Sequence, residues 1–403
     1  MTGSDEKTNK STAVATTPKS STAEELRKRV SHAAFAFRGY NVTNLGRSPE
    51  ILEHPAYGPV YARILEEASE ICSDAIRRRI DLVTRVRNRE ESTMETYAQD
   101  VALIVATELA HVRLLEEFFE VPFSGGQMVL GYSLGEVAAV VACGVYDMAA
   151  AMTPMMTLAR DCVSLSHDTT MGILFSRGPE LDFDAVQKLC LQITSQGYGS
   201  IAVSSFLAPN TALLLGQGQT VDHFKRVMHE TLPKTTNLRK NPHRWPPLHT
   251  PILRQANVSD RGSVMMDTAA GGFTAPTPPI LSCVTGDFSY NDFNSRDILT
   301  RWVDHPQLVW NVIDKTLASG VETIIHVGPE PNIIPATFSR LSNNVTTQLN
   351  GKSLSSLGLR AMSQIVRRRR WLTGLLSSDA TLLRAPFVDQ IILEDWLLEQ
   401  EVA

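Results

Sequence analysis

Cysteine is scarce in this chain, and metal-binding spacings are missing. The five cysteines are scattered over 403 residues, and none forms a C-x-x-C pair. This usage indicates a reducing compartment, so we expect a cytoplasmic protein. The ten histidines include no H-E-x-x-H motif and no histidine–cysteine pairing of the zinc type, and we predict no metal site.

Long apolar runs and an excess of one charge are also missing. No uncharged apolar run approaches the roughly 20 residues that a transmembrane helix needs. The first residues are rich in Ser, Thr and Lys and lack the apolar core of a signal peptide. We therefore expect a soluble protein with no membrane partner. The formal net charge of −5 provides no basic field, which argues against nucleic acid as a partner.

The chain does have the composition and pattern of a folded α/β protein. Hydrophobic residues make up 43% and charged residues 20%, as in typical soluble globular proteins. The alternation of strands and helices predicts an α/β-hydrolase-like large subdomain with a parallel sheet. A β-α-β-β-α-β order predicts an inserted, ferredoxin-like small subdomain. The predicted units are a disordered tail (1–23), the large subdomain (24–170 and 240–341), the small subdomain (171–239) and a partly helical C-terminal extension (342–403).

One short motif indicates chemistry. Gly131-Tyr132-Ser133-Leu134-Gly135 follows an apolar strand and precedes an Ala-rich helical run, which is the order of a nucleophile elbow. Small residues on both sides allow the strained turn that exposes the Ser133 hydroxyl, and the N–H of Leu134 could hold an oxyanion. The alternative is a glycine-flanked turn before an ordinary buried helix.

A serine nucleophile near neutral pH needs a base, and several histidines compete for that role. His167, His223 and His229 fall in or beside the small subdomain, and His326 lies inside an apolar strand. His249 lies in the segment PPLHTPIL, where flanking prolines predict a rigid loop. It is the preferred candidate, against the alternative of a surface-loop histidine.

Several segments, in order, resemble one enzyme family. Gly131 to Glu136 resembles the G-H-S-L-G-E segment of malonyl-CoA:acyl carrier protein transacylases and of polyketide synthase acyltransferase domains. Further segments, spread over roughly residues 33 to 341, resemble other parts of the family's sequence: Phe37–Tyr40, Ala208–Asn210, His249–Leu253, Trp302–Trp310 and His326–Pro329.

The resemblance implies a ping-pong acyl transfer in fatty acid or polyketide biosynthesis. Ser133 would attack an acyl-CoA thioester, with His249 as general base and an acyl carrier protein as acceptor. Coenzyme A enters as a substrate, and no other cofactor is expected. The resemblance further implies an oxyanion hole from the backbone N–H groups of Leu134 and Tyr40, and a backbone carbonyl near Trp302 that orients the histidine.

The resemblance also bears on the identity of the acyl group. Malonyl-type enzymes carry an arginine that pairs with the substrate carboxylate, and that position falls on Leu158 when counted without gaps. Arg160, two residues on, is the predicted clamp for a malonyl group; the alternative is a solvated arginine and an uncharged acyl group. The predicted substrate-binding residues are Arg160, Tyr132, Gln99 and Asn210.

Other interpretations and segments stay open. An acyl-thioester hydrolase would use the same Ser133–His249 pair but pass the acyl group to water. A carrier-protein-docking module without turnover is a third possibility, because Arg38 and Tyr40 depart from the family loop.

The basic run Arg367 to Arg370 is either a docking surface or a solvated helix face. The final segment QIILEDWLLEQ is predicted to be helical.

Overall fold

The computed structural model describes residues 21–177, 180–350 and 378–402. The strands of these ranges are β1 Ala33–Phe37, β2 Met128–Gly131, β3 Thr169–Ser176, β4 Ile201–Ala208, β5 Thr211–Gln217, β6 Thr236–Lys240, β7 Ile280–Leu281, β8 Thr323–Val327 and β9 Asp389–Ile392. The α-helices are α1 Ala23–Arg29, α2 Ser48–Glu53, α3 Tyr57–Ile76, α4 Leu82–Arg87, α5 Tyr97–Phe119, α6 Leu134–Ala142, α7 Met148–Ser166, α8 Phe183–Ser195, α9 Thr220–Val227, α10 Val258–Thr268, α11 Ser295–Asp304, α12 Val309–Ala318, α13 Ile333–Leu349, α14 Ser378–Thr381 and α15 Leu393–Glu399.

A parallel sheet forms the centre of the larger part of the fold. Its five strands lie in the order β7-β2-β1-β8-β9, with β1 in the middle. Every residue of β1 is buried, because both faces of the sheet are covered. Phe35 and Phe37 face a core built with α3, α5, α6 and α7, whereas Ala34 and Ala36 face a core with α12 and α13.

The second sheet is antiparallel, with strands in the order β4-β5-β3-β6. Helices α8 and α9 pack on one of its faces, which completes the β-α-β-β-α-β order. The opposite face of β3 and β5 is apolar and faces a cavity: Met171 pairs with Leu215, and Ile173 pairs with Leu213. The predicted fold class, a parallel sheet with an inserted ferredoxin-like unit, is therefore confirmed.

The C-terminal segment corrects one prediction. Residues 390–392, predicted to be helical, belong to β9, which pairs with β8 at the edge of the parallel sheet, and only α15 is helical. Ile391 and Ile392 are β-branched and favour a strand, and the pairing with β8 stabilises that conformation. Part of the predicted extension is thus part of the main core. The run Arg367 to Arg370 lies outside the described residues.

The N-terminal prediction also needs a correction at its end. Thr22 accepts a hydrogen bond from the backbone N–H of Glu25, and the Glu25 carboxylate accepts one from Thr22, so this capping box orders the start of α1. Residues 1–20 of the predicted tail lie outside the described part. In the portion of the chain described here, no helix is both long and apolar enough to cross a membrane.

Candidate active site

Ser133 sits at the sharp turn between β2 and α6. Its backbone φ of 54° and ψ of −119° are strained for a residue with a side chain, as a nucleophile elbow requires. A side chain at Gly135 would collide with the carbonyl oxygen of Phe37, since a Cβ there would lie 2.3 Å from it. A Cβ at Gly39 would lie 2.7 Å from the Tyr132 carbonyl oxygen. The two glycines therefore let the loop after β1 approach the elbow closely.

The structure brings Ser133 and His249 into hydrogen-bond contact. Ser133 Oγ lies 2.6 Å from His249 Nε2. His249 Nδ1 lies 2.7 Å from the backbone carbonyl oxygen of Trp302, so an Nδ1–H donates there and Nε2 is left to accept. The backbone N–H of His249 donates to the carbonyl of Val303 at 2.8 Å, which fixes the histidine loop against the end of α11. This arrangement suits a general base.

His249 is almost completely buried, with 3% of its surface exposed. Burial lowers its pKa to about 4, although the bond to the Trp302 carbonyl opposes this shift. The imidazole is therefore neutral at physiological pH and can accept a proton from the serine hydroxyl.

Two further contacts hold the elbow, and sequence reasoning found neither. The Trp302 indole Nε1–H donates to the Ser133 carbonyl at 2.8 Å. The backbone N–H of Ser133 donates to Gln307 Oε1 at 3.2 Å, and Gln307 Nε2 lies 3.3 Å from His249 Nδ1. Gln307 follows His305-Pro306 in a segment that the resemblance already covers, but its contacts depend on three-dimensional pairing.

Backbone hydrogen bonds of Gln307 connect the site to the antiparallel sheet. The backbone N–H of Gln307 donates to the Ser204 carbonyl, and the Gln307 carbonyl accepts from the N–H of Phe206, both at 2.9 Å. Ser204 and Phe206 belong to β4. Gln307 thus connects the nucleophile of one sheet with an edge strand of the other.

The two predicted oxyanion donors lie next to the elbow. Leu134 is the first residue of α6, where backbone N–H groups lack acceptors within the helix. Tyr40 follows Gly39, the residue that packs against the elbow, and its ring lies edge-on to Tyr97 with centroids 5.0 Å apart. Their role as an oxyanion hole stays a prediction.

Arg38 braces the loop that carries Tyr40. Its guanidinium is fully buried and donates to the carbonyls of Gly39 and Pro329 and to Asn44 Oδ1, at 2.6 to 2.8 Å. Burial lowers the pKa of Arg38 to about 10, an effect that Glu108 opposes, so the group is charged at neutral pH. Arg38, which departs from the loop of the resembled family, is thus a structural residue whose guanidinium donors are already engaged.

A cavity of about 1010 Å³ opens in front of Ser133 and His249. Tyr132 and Asn210, two of the predicted substrate-binding residues, line it. The Tyr132 hydroxyl lies 3.1 Å from Ser205 Oγ, and Asn210 Nδ2 donates to the Ser176 carbonyl at 3.0 Å. Sequence reasoning missed several other lining residues, including Tyr97, Trp245, Ile333 and Leu248.

The structure does not bring Arg160 or Gln99 to this cavity. Arg160 is exposed on α7, and Gln99 is half-buried without lining the cavity. Residues two apart on a helix point in nearly opposite directions, so the buried Leu158 faces inward and Arg160 faces solvent. The prediction that Arg160 clamps a carboxylate is corrected on this ground. Near Gln99 on α5, Tyr97 is the residue that lines the cavity.

No metal site is evident in the described ranges, where no three His, Cys, Asp or Glu side chains cluster.

Comparison with solved structures identifies the class of fold. A malonyl-CoA:acyl carrier protein transacylase from Xanthomonas oryzae matches with a TM-score of 0.61 and 19% identity, over 76% of this chain and 90% of that one. The chain has the fold of these transacylases and of polyketide synthase acyltransferase domains.

Particular curated relatives agree with this class. The Spectinabilin polyketide synthase system protein NorB of Streptomyces orinoci is 24% identical over 279 residues, or 67% of this chain, but the match spans only 12% of that protein. The malonyl CoA-acyl carrier protein transacylase of Bacillus subtilis is 22% identical over 304 residues, which cover 74% of this chain and 87% of that enzyme. No protein-family model matches the chain. The resemblance seen in the sequence motifs is confirmed by these similarities.

Proposed function

We propose that this chain is an acyltransferase that moves a short acyl group from a coenzyme A thioester to the thiol of an acyl carrier protein, in fatty acid or polyketide biosynthesis. The observation that carries the proposal is the 2.6 Å contact between Ser133 Oγ and His249 Nε2 beside the cavity. The names of the Bacillus and Xanthomonas proteins, malonyl transacylases acting with an acyl carrier protein, support the same reaction class.

In the first half-reaction, Ser133 Oγ attacks the thioester carbonyl carbon while His249 Nε2 takes the hydroxyl proton. The backbone N–H groups of Leu134 and Tyr40 stabilise the resulting oxyanion; loss of one such donor typically slows a reaction by about 100- to 1,000-fold. The carbon–sulfur bond then breaks, the proton passes from His249 to the leaving thiolate, and the acyl group remains as an ester on Ser133.

The second half-reaction uses the same groups in reverse. The carrier protein thiol attacks the carbonyl carbon of the Ser133 ester while His249 takes the thiol proton. The bond between Ser133 Oγ and the acyl carbon then breaks, the proton returns to Ser133 Oγ, and the acyl group leaves as a thioester on the carrier. The histidine needs no carboxylate partner in this scheme, because the Trp302 carbonyl orients its ring. The relatives are named as transferases, which favours the carrier thiol over water as acceptor.

Measuring acyl transfer to a carrier protein tests the proposal. The protein is mixed with acetyl-, butyryl- or malonyl-CoA and a holo acyl carrier protein, and the acylated carrier is measured by intact mass. We expect carrier acylation by the wild type and a loss of several orders of magnitude in both Ser133→Ala and His249→Ala. Rapid release of free acid without carrier acylation would instead identify a hydrolase, and turnover unaffected by Ser133→Ala would reject the mechanism.

A further inference from the structure

Two loops at the carboxyl ends of neighbouring parallel strands contribute to the lining of the main cavity. The first loop, residues 38–47, follows β1 and supplies Tyr40 and Asn41. The second loop, residues 328–332, follows β8 and supplies Pro331. If the proposed function is correct, the backbone N–H of Tyr40 stabilises the oxyanion, so the position of the first loop affects the rate of the reaction.

The two loops are in direct contact. Gly46 of the first loop has a φ of 50°, and a Cβ there would lie 2.6 Å from Pro329 Cβ and 2.9 Å from the backbone nitrogen of Glu330. Both the conformation and the lack of space therefore require glycine. At the cavity, Asn41 Nδ2 donates to the Pro331 carbonyl at 3.1 Å. A shift of one loop would thus displace the other.

Arg38 joins the loops through acceptor groups. Its guanidinium donates to Asn44 Oδ1 of the first loop at 2.7 Å and to the Pro329 carbonyl of the second at 2.6 Å. Asn44 Oδ1 also accepts the backbone N–H of Asn41 at 3.0 Å. The connection made by Arg38 therefore reaches the residue that follows Tyr40.

Glu394 joins the same loops through their backbone N–H groups. It belongs to α15, beyond the part of the chain that resembles the family, and it is 1% exposed. Its Oε2 accepts from the N–H of Arg47 at 2.9 Å, and its Oε1 accepts from the N–H of Glu330 at 2.7 Å. One buried carboxylate thus binds one backbone donor from each loop, and loss of either bond would leave a donor without this partner.

We infer that Glu394 is a positioning residue of the acyl-transfer site, which keeps the Tyr40 N–H in place by holding the two loops together. Glu394 does not line the cavity, so it acts through the loops and not on the substrate. Its contacts complement those of Arg38, which supplies donors where Glu394 supplies acceptors. The C-terminal segment therefore has a part in the reaction as well as in the core.

Glu394→Gln tests this role with almost no change in side-chain volume. The amide offers one acceptor oxygen, and its NH2 group faces a backbone N–H, so one loop loses its bond. Wild type and variant are mixed with butyryl-CoA at a series of concentrations, and acylation of the protein is followed by rapid quenching and intact mass. We expect the rate constant at saturation to fall by about 10- to 100-fold, the scale of a small displacement of a catalytic group. The concentration at half-saturation should change by less than about threefold, because the lost interaction acts in the transition state.

Asp395→Asn is the matched control. Asp395 is half-exposed and pairs with Arg47 Nη1 at 3.0 Å, so its substitution affects the same loop residue but neither backbone bond of Glu394. Its rate constant should equal that of the wild type. If Glu394→Gln does not fold, Glu394→Asp takes its place. The aspartate is one methylene shorter and cannot keep both bonds at their present lengths, so the same fall in rate constant is expected.

The amplitude of acylation separates positioning from folding. A purely structural role would lower the fraction of protein that becomes acylated and leave the rate constant at the wild-type value, and that result overturns the inference. An equal loss of rate in Asp395→Asn, or a change confined to the concentration at half-saturation, also overturns it. If the wild type forms no adduct with acetyl-, butyryl- or malonyl-CoA, the proposed function itself is contradicted, and the inference falls with it.

Discussion

At the scale of single residues, the nucleophile and its base are held by backbone groups and one amide, not by a carboxylate. Trp302 acts twice: its carbonyl accepts from His249 Nδ1, and its indole N–H donates to the Ser133 carbonyl. Gln307 accepts the backbone N–H of Ser133. Among the residues that the structure describes, no carboxylate hydrogen-bonds to the imidazole, so burial dominates and the pKa of His249 falls to about 4.

Gln307 offers a direct test of this electrostatic account. Gln307→Glu keeps an oxygen for the Ser133 N–H but places a carboxylate near His249 Nδ1, where the amide nitrogen lies at 3.3 Å. The carboxylate stabilises the imidazolium and should raise the pKa of His249 by about 1–3 units. Since only the neutral histidine accepts the serine proton, the acid limb of acyl-enzyme formation should move to higher pH.

The measurement is the rate of serine acylation between pH 4 and pH 8. The wild type should lose activity only as the pH falls towards about 4, the pKa of His249. Gln307→Ala is the matched control, because it removes the acceptor without adding a charge and should slow acylation without moving the limb. If the limb of Gln307→Glu coincides with that of the wild type, Gln307 does not act through His249.

At the scale of secondary structure elements, the C-terminal segment completes the main sheet. Strand β9 pairs in parallel with β8, and α15 packs on the same core as α3 and α5. Trp396 of α15 is 3% exposed, lies edge-on to Phe119 with ring centroids 4.9 Å apart, and donates to the Ser21 carbonyl at 2.6 Å. This segment therefore contributes to the stability of the large core.

Trp396→Ala should destabilise the protein by about 3–5 kcal/mol, the usual cost of a large aromatic-to-alanine change in a core. Urea unfolding followed by circular dichroism measures the change. Phe293→Ala is the control, because Phe293 is 71% exposed and its loss should change the free energy of unfolding by less than about 0.5 kcal/mol. Equal effects of the two substitutions would mean that the C-terminal segment is an appendage.

The same elements explain what the sequence could predict. The strand of five apolar residues at Ala33–Phe37 is recognisable because a central parallel strand is buried on both faces. The elbow at Ser133 is recognisable because its glycines have a local steric reason. Strand β9 is not, because its four residues become a strand only by pairing with β8.

Side chains whose roles depend on distant contacts could not be predicted either. Gln307 reaches Ser133 only because β4 holds its backbone. The choice between Leu158 and Arg160 depended on helix register near Pro154, which an ungapped count cannot decide; the structure buries Leu158 and exposes Arg160. Register on the helix thus determined which of the two residues faces the core.

At the scale of the whole molecule, the site lies where the two sheets meet. The parallel sheet supplies the elbow, the antiparallel sheet supplies an apolar wall from β3 and β5, and α13 lines a third side through residues such as Ile333 and Asn344. Gln307 links the two sheets at the nucleophile itself. Relative movement of the sheets would therefore change both the cavity and the orientation of Ser133.

If the proposed mechanism is correct, Ser133 becomes acylated by a coenzyme A thioester, and locating the adduct is the decisive experiment. The protein is mixed with butyryl-CoA, quenched in acid and digested, and the modified peptide is sequenced by tandem mass spectrometry. We expect one butyryl group on Ser133 in the wild type and none in Ser133→Ala, in a fold that circular dichroism shows to be intact. A butyryl group on another residue, or an adduct that persists in Ser133→Ala, would contradict it.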